Sequence, residues 1–270
     1  MRGLRANAKP GWLPQDLAKV LGIPAENVTV SVPLLGGGFG RKSKWDYVLE
    51  AALVSKATGA PIKVVWTRED DIQHDFYHTV SLEQIDAGVD ANGKVIAWRH
   101  RSVAPTIAST FKAGADHEAP FELGMGLVDN PFAIPNLRCE NGKCQAFTRI
   151  GWFRSVSNIP HAFAVQSMVA EIASGLGRDP KDMLLELLGP DRIVDPRKSP
   201  EVADYWNYGD PFETYPIDTG RLRRVAELAA DRAGWGKTLL KGEGLGIAAR
   251  RSFLTYVATV VHARWMTRES

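Results

Sequence analysis

Only two of the 270 residues are cysteine, so neither a disulfide framework nor a four-thiolate cluster can be built from this chain. No apolar run approaches the roughly 20 residues that span a bilayer. The opening stretch, MRGLRANAKPGW, is basic but lacks an apolar core, so it does not read as a secretory signal. Neither charge sign dominates: 33 basic against 31 acidic residues leave a net charge of +2, which gives no electrostatic reason for nucleic acid as the main partner. The 44% hydrophobic content excludes a disordered chain and supplies core for one large or two ordinary domains. His-Glu-x-x-His and Gly-x-Ser-x-Gly are both missing. The string Arg250-Arg251-Ser252-Phe253-Leu254 looks like a twin-arginine export signal, but it lies at the wrong end of the chain and runs into strand-like sequence.

Hydropathy patterning yields both helices and strands. The spacing predicts a short helix over 14–21 and an alternating strand over 28–32. A glycine-rich turn at 36–40 follows, with Arg41 and Lys42 opening a helix that runs to Thr58 and stops at Gly59 and Pro61. Ile62–Thr67 reads as a buried strand, completing a βαβ-like unit, with Glu69, Asp70 and Asp71 as a solvated turn behind it. Residues 80–89 and 94–103 form strands around an Asp-Ala-Asn-Gly turn. The aperiodic stretch 104–135 reads as a long loop of the kind that is often functional or partner-facing. Pro160–Leu176 is predicted as a helix facing inward through Ala164, Val165, Met168, Ile172 and Leu176. A second helix, capped by Asp179-Pro180, ends at Gly189, and a third spans 218–233 with Leu222, Val225, Ala226 and Ala229 inward. The tail from Gly242 to Trp265 reads as glycine turns followed by strand.

Cys139 and Cys144 flank Glu-Asn-Gly-Lys. If Asn141-Gly142 is a two-residue turn, the cysteines form a non-hydrogen-bonded hairpin pair with Cα atoms about 4.5 Å apart. A disulfide or two free thiols are both open, and no oxidising-compartment signal favours the bond.

The sharpest motif is Gly36-Gly37-Gly38-Phe39-Gly40-Arg41-Lys42-Ser43. Glycines let backbone N–H groups approach a ligand, a helix N-terminus adds partial positive charge, and arginine binds phosphate bidentately. The spacing satisfies neither the Walker A pattern nor Gly-x-Gly-x-x-Gly, because Arg41 stands where each needs another residue. Anion binding and a tight turn that packs glycine on a neighbour fit the pattern equally well. A second loop, Gly151-Trp152-Phe153-Arg154-Ser155, offers a guanidinium that is either a further anion contact or a plain surface charge. His74 and His78 are four apart but lead into strand-like sequence, so no metal ligand is assigned; His100 and His161 read as structural.

Several stretches in order carry a resemblance. They are Pro33–Ser43, Val64-Val65-Trp66-Thr67-Arg68-Glu69-Asp70-Asp71, Gly93–His100, Phe153-Arg154-Ser155-Val156-Ser157-Asn158, Arg178-Asp179-Pro180 and Gly244–Ala249. Over most of residues 12–260 the chain resembles the molybdenum-binding large subunit of the xanthine dehydrogenase and aldehyde oxidoreductase family, and in particular the isoquinoline 1-oxidoreductase type. The resemblance implies an α+β fold. It further implies a molybdopterin-binding core segment over 1–190, a linker over 191–217 and the start of a second such segment over 218–270.

By the same resemblance the cofactor is molybdenum with molybdopterin cytosine dinucleotide. Gly37, Gly38, Phe39, Gly40 and Arg41 would line it, and Arg154 would match the family's Phe-Arg loop. Family members hydroxylate a carbon beside nitrogen or oxygen, using oxygen from water, and pass electrons to [2Fe-2S] clusters on a partner. An aromatic N-heterocycle or aldehyde substrate and a [2Fe-2S] small subunit are therefore expected. The family's general-base glutamate has no match, since Gly242-Glu243 precedes Gly-Leu-Gly-Ile, and no catalytic residue is assigned. Without a signal peptide the chain reads as cytoplasmic, with the periplasm open for an intact enzyme. The alternative functions are a non-catalytic nucleotide- or partner-binding module and an inactive remnant of the large subunit.

Overall fold

The computed structural model describes residues 4–5, 13–34, 36–202 and 204–265. Contacts divide the chain into two units, Met1–Thr79 with Ala146–Val156, and Val80–Gln145 with Ser157–Ser270. Both mix helix with strand, which makes the fold α+β as expected. No helix among the described residues is long and apolar enough to cross a membrane.

In the first unit β1 (Leu4–Arg5) pairs in parallel with β2 (Val30–Ser31). Helices α1 (Leu13–Leu21) and α2 (Asp46–Thr58) bury Leu13, Leu17 and Leu21 with Val48 and Ala52. These positions recur every four residues and so share a helix face. The Lys56 ammonium donates to the Leu21 carbonyl at 2.8 Å, placing a cation at the negative end of α1. Gly59, in the left-handed region, ends α2.

Two expectations for this unit fail. Residues 62–66 form no strand and Val65 is 74% exposed, so the βαβ-like unit is not made. A short apolar run becomes a strand only when it has a partner, and β2 is spent on β1. The acids that follow are not a loose turn but the first turn of α3 (Arg68–His74). Thr67 caps it, accepting from the Asp70 N–H while Asp70 accepts from the Thr67 N–H. Arg41 and Lys42 likewise open only the 3₁₀ turn Arg41–Ser43, so the glycine loop does not run directly into the α2 N-terminus.

The second unit is built on β3 (Leu82–Val89), β4 (Val95–Val103) and β5 (Asn136–Gly142). β3 and β4 form the predicted hairpin, its turn fixed by Asp90 Oδ1 accepting from the N–H groups of Asn92 and Lys94. β5 runs parallel to β4, and this removes the cysteine hairpin: Asn141 and Gly142 are strand residues, and both cysteines are free thiols. Gly142 lies against Val103, and Asn141 Nδ2 donates to the Glu118 carbonyl.

The 104–135 stretch contains α4 (Pro120–Leu123) and is packed inward, with Ile107, Met125, Leu127 and Phe132 buried. Much of it is core, while residues 111–114, with Phe111 52% exposed, lie at the surface. Helix α5 (Asn158–Gly175) starts earlier than predicted and turns His161, Val165, Val169, Ile172 and Ala173 inward; Leu176 lies beyond its end. Asp179 caps α6 (Pro180–Leu188) as expected.

β6 (Ile193–Val194) and β7 (Ile217–Asp218) pair across the 191–217 segment. α7 (Thr219–Ala233) buries Leu222, Ala226 and Ala230. β8 (Glu243–Ser252) and β9 (Thr255–Arg264) form a hairpin whose two turn residues, Phe253 and Leu254, both have left-handed φ (45° and 66°). The core joins Trp98 of β4 to α5, α6, α7 and Ala249 of β8. The two arginines of the twin-arginine-like string are tied into the fold: Arg250 pairs with Asp129 at 3.1 Å, and Arg251 donates to Asn207 at 2.7 Å.

β4 alternates Trp98, His100 and Ser102 inward, so the buried face turns polar toward its end. His100 Nε2 meets Glu83 at 2.8 Å, and Ser102 Oγ donates to Glu118 at 2.5 Å. His161 Nε2 lies 3.3 Å from Ser102 Oγ, 3.5 Å from Glu118 and 3.8 Å from Glu83, while Nδ1 donates to the Met125 carbonyl. Burial pulls the His161 imidazole down, but Glu118 and then Glu83 outweigh it and hold it above the ordinary range. Burial pushes Glu83 up, but His100 and His161 outweigh that and hold it below.

The two shifts bracket a pH window. The His161 contribution is full below its unfolded value of roughly 6.5 and fades as pH rises through the folded one. That of Glu83 is full above roughly 4.3 and fades as pH falls. The denaturant midpoint of the wild type should therefore gain most from this cluster between these limits. His161→Gln should cost about 3 kcal/mol and flatten that part of the profile; an unchanged pH profile would refute the coupling. A second expectation concerns Cys139, whose thiol is pushed up to about 12 by burial and by Asp129. Native alkylation, read by peptide mapping, should modify Cys144 well before Cys139.

Candidate functional site

The two loops singled out from the sequence meet in the first unit. Phe39 has a left-handed φ of 49° and Gly40 one of 87°. This tight reversal turns the Phe39 ring back over Gly37 and leaves Phe39 63% exposed. The Arg154 guanidinium stands over that ring, 4.6 Å from its centroid, close enough for a cation–π contact. A Cβ on Gly40 would come within 2.9 Å of the Trp152 backbone, so only glycine allows the two loops to approach this closely.

The two arginines of the site differ. Arg41 hydrogen-bonds Asp46 at 2.9 and 3.0 Å and also pairs with Asp75. Its partial burial works against its charge, but the two carboxylates outweigh this and raise it. Arg154 has no carboxylate partner among the described residues. Among the same residues, none accepts from the N–H groups of Gly37, Gly38 or Phe39. The site thus presents backbone donors and one uncompensated guanidinium, a set suited to phosphate and oxo oxygens.

The Phe-Arg loop is held by a segment that the sequence reading passed over. Tyr77 donates to the Arg149 carbonyl at 2.8 Å and accepts from the Gly151 N–H at 3.1 Å, forming an isolated parallel bridge with Ile150. Gly151 sits so close to Phe76 that a Cβ would meet the Phe76 Cβ at 2.8 Å. Arg149 donates to the Gln73 carbonyl near the end of α3. His74 ends α3 and His78 lies in the extended chain beyond it, so the two share no helix face. No group of three His, Cys, Asp or Glu among the described residues could hold a metal ion. The available signal for α3 was the Thr-x-x-Asp capping pattern at Thr67–Asp70; nothing in the local sequence marks Tyr77 or His78.

Comparison with known proteins gives the family. The family model described as "Molybdopterin cofactor-binding domain" matches residues 6–185. The chain belongs to this family, within the xanthine dehydrogenase and aldehyde oxidoreductase group of oxidoreductases. It is 36% identical over 232 residues to the aldehyde oxidoreductase molybdenum-binding subunit PaoC of Escherichia coli, covering 85% of this chain and 28% of that protein. It is 31% identical over 245 residues to the membrane-bound aldehyde dehydrogenase [pyrroloquinoline-quinone] of Gluconacetobacter polyoxogenes, covering 86% and 30%. The solved aldehyde oxidoreductase of Desulfovibrio gigas shares the fold over 87% of this chain and 25% of its own, with a TM-score of 0.61 at 17% identity. The chain thus spans less than a third of the length of each of these proteins.

The Gly40–Trp152 approach makes a prediction. Gly40→Ala combines a disallowed contact with a left-handed φ, and should cost about 1–3 kcal/mol while loosening both loops. Faster amide exchange in peptides spanning 36–43 and 150–156 would show it. Wild-type exchange in both would mean that the approach is not constrained.

Proposed function

We propose that the paired loops of the first unit bind the pyranopterin–molybdenum end of a molybdopterin cytosine dinucleotide cofactor. The observation that carries this reading is the placement of the Arg154 guanidinium over Phe39, in a loop whose Gly37, Gly38 and Phe39 N–H groups have no acceptor among the described residues. Gly40 gives the close approach, and Arg154 supplies the charge-assisted contact. Arg41 acts at the edge of the site: with its charge balanced by Asp46 and Asp75, it braces the exit of the glycine loop more than it attracts an anion.

When bound, the cofactor would supply the redox chemistry of a molybdenum hydroxylase, with water as the oxygen source and an aromatic N-heterocycle or aldehyde as substrate. The part of these residues is to hold and orient it. Electrons would leave through a [2Fe-2S] small subunit. No described residue is assigned as general base. The rival reading, a nucleotide- or partner-binding module without redox chemistry, calls for nucleotide retention without molybdenum.

The test is to purify the chain from a host that makes the cytosine dinucleotide, with and without an iron–sulfur partner. Molybdenum by elemental analysis and released cytosine nucleotide are then measured in one sample. Near-equal, near-stoichiometric values are expected in the presence of the partner. A folded chain that holds neither would overturn the proposal. Arg154→Ala should weaken retention about tenfold, the equivalent of one charge-assisted hydrogen bond; undiminished molybdenum content would remove Arg154 from the site.

A further inference from the structure

Four consecutive residues, Asp75-Phe76-Tyr77-His78, brace both loops of the site, each by a different contact. Asp75 pairs with Arg41 at the exit of the glycine loop. The Phe76 ring lies beneath the same guanidinium at 5.1 Å, and its Cβ fills the space beside Gly151. The Tyr77 main chain bonds on both sides of Ile150. His78 reaches the other end of the Phe-Arg loop: its Nε2 is 3.2 Å from the Val156 carbonyl oxygen, and Nδ1 is 2.7 Å from the Thr79 carbonyl oxygen. Carbonyls only accept, so each contact needs an N–H on its own ring nitrogen: the bond to Val156 uses the Nε2–H tautomer, and the Thr79 contact becomes a second donated bond only when the ring carries both protons. The edge of the ring packs against Phe153, with centroids 6.0 Å apart.

The loop is therefore pinned at Ile150 and again at Val156, and only Gly151–Ser155 bow out between. The far pin holds an unfavourable backbone. Ser155 and Val156 have φ of 66° and 46°, and for a β-branched residue the left-handed region is a genuine outlier. Such a conformation persists only where its surroundings over-determine it. Here the surroundings are the Val156 N–H donating to the Phe153 carbonyl at 2.9 Å, the buried Val156 side chain, and the His78 ring at the Val156 carbonyl.

We propose that His78 is a positioning residue: by holding the Val156 carbonyl it fixes the left-handed turn at Ser155–Val156 and so aims Arg154 over Phe39 and the glycine loop. That purpose rests on the cofactor reading of Arg154; the clamp itself does not.

The test uses the full chain with two variants. His78→Phe keeps an aromatic ring against Phe153 but has no N–H, while His78→Gln keeps an N–H donor. Hydrogen exchange, read by mass spectrometry without regard to cofactor, should speed up at least about fivefold in peptides covering 153–157 of His78→Phe, the equivalent of one net hydrogen bond. Peptides from α1 and α2 should be unchanged, and His78→Gln should recover most of the protection. Unchanged exchange at 153–157 overturns the clamp, as does loosening spread equally through α1 and α2 in both variants. Molybdenum content then separates the two readings. Loss in His78→Phe that matches Arg154→Ala, with no further loss in the double variant, supports the full proposal. A loosened loop with undiminished molybdenum keeps the clamp and overturns the role of Arg154.

Discussion

The Arg41 guanidinium, shared between Asp46 and Asp75, is the interaction on which the first unit's site depends. It ties the exit of the glycine loop to the start of α2 on one side and to the end of α3 on the other, so the loop is held at the point where its chain direction changes. It also decides the electrostatics. A cation facing two carboxylates has little attraction left for a third anion, whereas Arg154 has no carboxylate partner among the described residues. The sequence reading gave Arg41 and Arg154 the same part. Geometry separates them: Arg41 is paired with two carboxylates, and Arg154 stands over the Phe39 ring without a carboxylate partner among the described residues.

Strain follows from the same arrangement. Four residues of the two loops, Phe39, Gly40, Ser155 and Val156, have left-handed backbone, and three of them are not glycine. Each non-glycine residue costs of order 1 kcal/mol or more against an extended alternative, and the one local hydrogen bond, from the Val156 N–H to the Phe153 carbonyl, offsets only part of this. The rest comes from residues 75–78 and from the close Gly40–Trp152 contact, both of them non-local. A site held in this way is pre-organised: the conformational loss is met on folding and is not charged again when a ligand enters. The second unit uses polar burial for another purpose. Its Glu83–His100–Ser102–Glu118–His161 cluster links β3, β4, α5 and the stretch before α4 deep inside. Buried ion pairs of this kind contribute little net stability, yet breaking one partner is expensive, so the cluster fixes which strand faces meet.

What could be read in advance follows the range of the forces involved. Signals carried by neighbours were legible: the Asp-Ala-Asn-Gly hairpin, the Asp179-Pro180 cap and the helix ending at Ala233 all rest on contacts within a few residues. The glycine loop and Arg154 were legible as motifs, though not as a pair. Failures came where a distant partner decides. Ile62–Thr67 has strand composition but no strand beside it. Asn141-Gly142 has turn composition, but a parallel neighbour, β4, holds it extended. The pairing of Arg41 with Asp75, 34 positions later, likewise cannot be read from the neighbourhood of Arg41. His78 was weighed only as a metal ligand, since its partner carbonyl belongs to Val156, and backbone acceptors leave no trace in a side-chain pattern.

The pairing of Phe39 with Arg154 spans 115 positions, and the intervening chain from Val80 to Gln145 belongs to the other unit. Closing so long a loop costs entropy that grows only with the logarithm of its length, so separation alone does not forbid the contact. The demand is for precision at the point of return. A single cation–π contact of about 0.5–1 kcal/mol at an exposed site cannot by itself hold an eleven-residue excursion, Ala146–Val156, in register. The Tyr77–Ile150 bridge and the His78–Val156 contact supply that register from two adjacent residues, which fixes both the position and the direction of the segment between them. Arg154 is then aimed by the backbone and not by its own attraction to Phe39.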